Sequence, residues 1–83
     1  MWIIGCDFHV GFQPVAIFDR TSREISHRRL QHPEEARVFY AALAGLVLVG
    51  LEARGKTQWF EQMLAEMGHE LWMGNAALGT RVA

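Results

Sequence analysis

Met1–His9 reads MWIIGCDFH and Leu46–Glu52 reads LVLVGLE. Each is an apolar, β-favouring run that ends on an acid, Asp7 in the first and Glu52 in the second. Runs of this kind suit strands covered on both faces, and a carboxylate where such a strand leaves the core is costly unless something pairs with it. If the two strands are parallel neighbours, both acids arrive at one end of a sheet. Oxygen ligands on rigid adjacent strands are what a hard divalent cation such as Mg²⁺ or Mn²⁺ takes.

The rest of the chain fits around these two strands. Val10-Gly11 reads as a turn, and Phe12–Phe18 as a second strand in which Pro14 belongs at the beginning or at a bulge, because it offers no N–H to a ladder. Asp19–Ser22 is a turn of the type that joins antiparallel strands, and Arg23–Leu30 alternates as a partly polar edge strand. Pro33-Glu34-Glu35 signals a helix start, since proline fits the first turn and the acids complement its positive end. Ala36, Val38, Phe39, Tyr40 and Leu43 continue at helical spacing towards a stop near Gly45. After Glu52, Ala53–Lys56 is a turn, and Thr57 is the candidate N-cap of a second helix whose apolar stripe runs from Trp59 to Met67 and ends at Gly68. His69–Met73 is a short fifth strand, followed from Gly74-Asn75 by a tail, Ala76–Ala83, able to begin a helix without finishing it.

The predicted order is βββαβαβ, with a mixed five-stranded sheet. Three meandering strands followed by helix and strand in alternation describe the core of the ribonuclease H-like α/β fold, cut short here. In that arrangement the first and fourth strands are parallel neighbours, which brings Asp7 beside Glu52.

With 83 residues, one small domain is expected, and 51% hydrophobic residues with three tryptophans support a packed interior. The net charge of −1 gives no global pull towards nucleic acid or anionic membrane, so polyanion binding would need a local patch. Arg20, Arg23, Arg28 and Arg29 offer one around the second turn and third strand; the competing interpretation is a charged edge strand that discourages sheet pairing. A single cysteine, Cys6, in an apolar run argues for a reducing compartment, most simply cytoplasm. No run approaches the roughly 18 apolar residues of a membrane span, and an acid at position 7 with no basic lead argues against a signal peptide.

Nucleases built on paired carboxylates hold two ions about 4 Å apart and commonly use three or four acids. Two convincing ones are visible, Asp7 and Glu52. The alternative for both is a strand-end acid facing solvent or capping the next helix. His9 is expected to be a solvated histidine beside a turn, and His27, His32 and His69 lack the spacing of a zinc site. Gly50–Thr57, GLEARGKT, matches a phosphate-loop pattern literally but is rejected, because Glu52 would sit inside the cradle and the loop would begin before its strand had ended.

Ile4–His9 resembles the Gly-x-Asp-x-His opening of the insertion-sequence-one-ten transposases, whose N-terminal domain is a RuvC-like DEDD nuclease of the ribonuclease H-like superfamily. Glu52-Ala53-Arg54-Gly55 resembles their Glu-Ala-Thr-Gly, Leu64–Glu70 resembles the helix end and strand that follow, and Asn75 matches the asparagine of their Asn-Pro step. The departures are Arg54 for threonine, Ala76 for proline and Val10 for a basic residue. The resemblance implies a metal-dependent, DNA-cleaving transposase with Asp7 and Glu52 as its first two acids, acting on DNA and, in some relatives, with a guide RNA. It also implies that the last two acids lie beyond this stretch, leaving half a site with little activity alone. Two other classes stay open. One is a non-catalytic module that associates through its open sheet edge and exposes Leu71, Trp72 and Met73; the other is an actin-like ATP-binding half, which would want a richer glycine turn than Phe8–Gly11 provides.

Overall fold

The computed structural model describes residues 1–53, 56–74 and 79–81. The elements are β1 (Trp2–Phe8), β2 (Phe12–Asp19), β3 (Glu24–Gln31), α1 (Glu34–Ala42), β4 (Val47–Ala53), α2 (Gln58–Glu66), β5 (Glu70–Gly74) and β6 (Gly79–Arg81). They form one α/β unit whose mixed sheet has the order β3-β2-β1-β4-β5-β6. The strands expected as five are all present. The sixth, β6, lies in the tail expected to start a helix and pairs antiparallel with β5 from Trp72↔Arg81 to Gly74↔Gly79. Arg54 and Gly55 of the turn after β4, the stretch 75–78 with Asn75 and Ala76, and residues 82–83 lie outside the described residues.

β1 pairs antiparallel with β2 and parallel with β4, while β4 pairs parallel with β5. The strands β3, β4 and β5 run the same way, and the crossovers through α1 and α2 progress in one direction across the sheet. Right-handed crossovers then put both helices on the same face. The packing agrees: Tyr40 of α1 and Phe60 of α2 have ring centroids 5.3 Å apart, and Phe60 is also 5.3 Å from Phe8 of β1. Ile4, Cys6 and Phe8, with Val47, Val49 and Leu51, point into this core alongside Ala36, Met63, Leu64 and Leu71.

Period-2 alternation sends Ile3, Gly5 and Asp7 of β1, and Leu48, Gly50 and Glu52 of β4, to the other face. No helix among the described residues covers it. Ile3, Ile25 and Trp72 remain 37%, 64% and 39% exposed there. Of the three β5 residues expected to be exposed, only Trp72 is: Leu71 is buried under α2 and Met73 packs against the core. No described helix is long and apolar enough to cross a membrane.

Pro14 occupies the third position of β2, an interior strand. It is tolerated because β1–β2 pairing runs from Trp2↔Asp19 only to Cys6↔Val15, ending where the proline ring has no N–H to continue the ladder. β3 is the edge strand expected, with only Leu30 buried. Its turn from β2 is built on Asp19, whose carboxylate accepts from Thr21 N at 3.0 Å and Ser22 Oγ at 3.2 Å. Thr57 stands at the N-cap of α2 but bonds forward: its Oγ1 donates to Glu61 Oε2 at 2.6 Å and leaves the backbone N–H groups uncapped.

Candidate divalent-cation site at the ends of β1 and β4

Asp7 and Glu52 are register partners on the parallel pair β1–β4, in the series Trp2↔Val47 through Phe8↔Ala53. Neighbouring strands lie about 4.8 Å apart, and register partners share a face, so both carboxylates leave the open face side by side. They border an open groove of about 590 Å³. Its floor is the preceding register pair on that face, Gly5↔Gly50, where a Cβ on Gly5 would meet nothing within 4 Å and one on Gly50 only the Ile4 carbonyl at 3.8 Å. Trp72, register partner of Gly50, and Ala16, partner of Gly5, extend that row on either side. The missing side chains create the concavity.

The site continues away from Glu52. His9 Nε2 donates to Asp7 Oδ2 at 3.1 Å, so this histidine is bonded to the acid rather than simply solvated. Its ring stacks on Phe12 with centroids 4.7 Å apart and planes 5° from parallel. The Arg29 guanidinium carbon lies 3.8 Å from the Phe12 centroid. The sequence reading missed this contact; the i, i+2 spacing of Asp7 and His9, which places alternate side chains on one side of an extended chain, is the signal that could have found it.

The arginines do not form one patch. Arg28 and Arg29 are consecutive on β3 and therefore face opposite sides: the Arg28 guanidinium sits 5.3 Å from the Phe39 ring of α1, on the helix face, while Arg29 lies over Phe12 on the open face. Arg23 lies in the β2–β3 turn with φ of 63°, about 20 Å along the strand from Arg29. Arg28 and Arg29 both lie towards the end of the sheet that carries Asp7 and Glu52, Arg28 among the residues lining their groove and Arg29 with its side chain on the same face as the acids.

Directly beneath, on the helix face, is a buried polar cluster centred on Gln13. Its Oε1 accepts from Tyr40 Oη at 2.7 Å and from the Cys6 thiol at 3.1 Å. The amide Nε2 therefore faces His32 Nε2 at 2.9 Å as donor, which assigns the His32 proton to Nδ1, 3.4 Å from the Val10 carbonyl. Burial pushes the Cys6 thiol up to about 12, and burial raises Tyr40 as well. Desolvation holds His32 below its ordinary value, against the opposing effect of the Val10 carbonyl. These groups are hydrogen-bonded to one another, as a core requires.

Among the described residues, no three or more His, Cys, Asp or Glu converge to cage a metal. The donor set at the β1–β4 end, two carboxylate groups on adjacent strands, suits a hard cation that keeps most of its water, because Mg²⁺ is usually held by one or two carboxylates together with waters and phosphate oxygens. Compared with known proteins, the chain matches no family model and no curated sequence.

Proposed function

We propose that Asp7 and Glu52 are two carboxylate ligands of a Mg²⁺ or Mn²⁺ site in a ribonuclease H-like, RuvC-like nuclease region of the insertion-sequence-one-ten transposase type, working in DNA transposition and recombination in the cytoplasm. The observation that carries this reading is the β1–β4 register, which makes Asp7 and Glu52 partners on parallel neighbouring strands. The strand order β3-β2-β1-β4-β5 with α1 and α2 as crossovers supports it.

When bound, the cation would supply charge for activating water and stabilising the leaving oxygen of a phosphodiester. The chain's own residues hold the ion through Asp7 and Glu52, and Arg29 offers a phosphate contact at the same end of the sheet. DNA, joined in some relatives by a guide RNA, would lie across the open face. Two acids are enough for one weakly held ion, and a second ion needs acids beyond those converging among the described residues.

Isothermal titration with Mn²⁺ tests the site. Weak binding is expected for the wild type and its loss in Asp7→Asn; identical titrations would remove the reading. The 83 residues by themselves are expected to leave supercoiled plasmid intact in Mn²⁺. Nicks that vanish in Glu52→Gln would show that they are active alone.

A second reading, a non-catalytic module that self-associates, is favoured by the exposed Ile3, Ile25 and Trp72 and by the edge position of β3. The β5 edge is less available, since β6 pairs with it over Trp72–Gly74. A clean monomer in sedimentation at high concentration would count against association.

A further inference from the structure

We propose that His9, with Phe12 and Arg29 behind it, is a positioning residue that holds the Asp7 carboxylate in one orientation for cation binding; this rests on the divalent-cation reading above. Asp7 stands at a strand end with 44% of its side chain exposed, its Oδ1 buried and its Oδ2 meeting His9, so the direction of the carboxylate is set by what surrounds it. A ligand that must be ordered when the ion arrives weakens binding by the freedom it gives up, and a carboxylate already restrained gives up less.

The restraint comes from three strands. His9 and Phe12 flank the Val10-Gly11 turn, closed by the His9 N–H donating to the Phe12 carbonyl at 3.0 Å. This cross-strand placement puts both rings on the face that Asp7 shares, and they stack 5° from parallel. Arg29 enters from β3 as the diagonal neighbour of Phe12, whose direct partner is Gln31, and sets its guanidinium 3.8 Å from the ring centroid. His9 Nε2–H then donates to Asp7 Oδ2 at 3.1 Å. An imidazole steadied by a ring on a neighbouring strand, itself covered by a cation from the next, fixes a donor direction that a solvated histidine would not. Hydrogen-bonded partners behind metal-binding carboxylates commonly change metal affinity by 10- to 100-fold when removed.

The test compares wild type, His9→Leu, His9→Gln, Phe12→Leu and Asp7→Asn, with urea unfolding confirming that each folds. In the metal-free protein, Hα–Hβ couplings of Asp7 report its χ1 populations. A single rotamer is expected in the wild type, averaging in His9→Leu, partial averaging in Phe12→Leu, and recovery in His9→Gln, whose amide still reaches as a donor. Mn²⁺ affinity by calorimetry should follow the same order, about tenfold weaker in His9→Leu and within about threefold of wild type in His9→Gln. Averaged couplings already in the wild type, or unchanged Mn²⁺ affinity in His9→Leu, would overturn the positioning role. Phe12→Leu leaves His9 in place and decides the matter if His9→Leu does not fold: couplings and affinity equal to wild type would refute it. Failure of the cation site itself looks different, with Asp7→Asn binding Mn²⁺ as the wild type does.

Discussion

The two faces of β1 differ residue by residue. Ile4, Cys6 and Phe8 are buried under the helices, while Ile3, Gly5 and Asp7 look out over a bare sheet. β4 repeats the division with Val47, Val49 and Leu51 against Leu48, Gly50 and Glu52. On the covered face every polar group in the cluster around Gln13 has a partner, because an unmet donor or acceptor there costs its full desolvation. On the open face, water lowers the cost of charge, and two carboxylates stand side by side above two glycines. The strand period of two thus separates what holds the molecule together from what can do chemistry, within the same few residues.

The contrast is sharpest for apolar truncation. Phe60→Ala, at a ring that touches Phe8, Tyr40 and Trp59, is expected to lose about 3–5 kcal/mol in urea unfolding. Ile25→Ala on the open face is expected to stay within about 0.5 kcal/mol of wild type. Equal losses would mean that something covers the open face in solution. Gln13→Leu comes next, at about 2–3 kcal/mol, because the Tyr40 hydroxyl and the Cys6 thiol lose their shared acceptor. A neutral result would show that the cluster is not tied together through this amide.

The smallest effect is the pH dependence. His32 titrates below 6.5 in the folded state, so the unfolded chain takes up its proton first as the pH falls. Its contribution is fully present above pH 6.5 and declines as the pH drops from there towards the folded value. The urea midpoint should fall between pH 7.5 and pH 5, and His32→Asn should flatten that part of the profile. An unchanged profile in His32→Asn would contradict a His32 whose protonation is disfavoured by burial in the fold.

The strands were legible in the sequence but this division was not: both runs read as covered on two faces, whereas Ile3, Gly5, Gly50 and Glu52 look out over a bare one. The apolar runs ending on Asp7 and Glu52 gave β1, β4 and their adjacency, since continuous hydrophobicity marks buried strands and the helix between the meander and β4 demands a parallel return. Other features were hidden for physical reasons. Gln13 reads as a polar interruption of a strand, and only the fold brings Tyr40, Cys6 and His32 to its two ends. His9 beside a turn reads as solvated until the hairpin register sets it against Phe12. The Gly5↔Gly50 floor depends on register, which neither run specifies alone. β6 spans only Gly79–Arg81, too few residues to show alternation, whereas the alternation of β3 already set Arg28 and Arg29 on opposite faces.

Whether Asp7 and Glu52 serve one cation together can be read from paramagnetic broadening by substoichiometric Mn²⁺ in an NMR spectrum of the labelled protein. The expected result is that the amide signals of Asp7 and Glu52 fade first and together, and that Asp7→Asn or Glu52→Gln abolishes the effect at both positions. Broadening centred on Glu34 and Glu35 of α1, or at one of the two strand ends without the other, would contradict it.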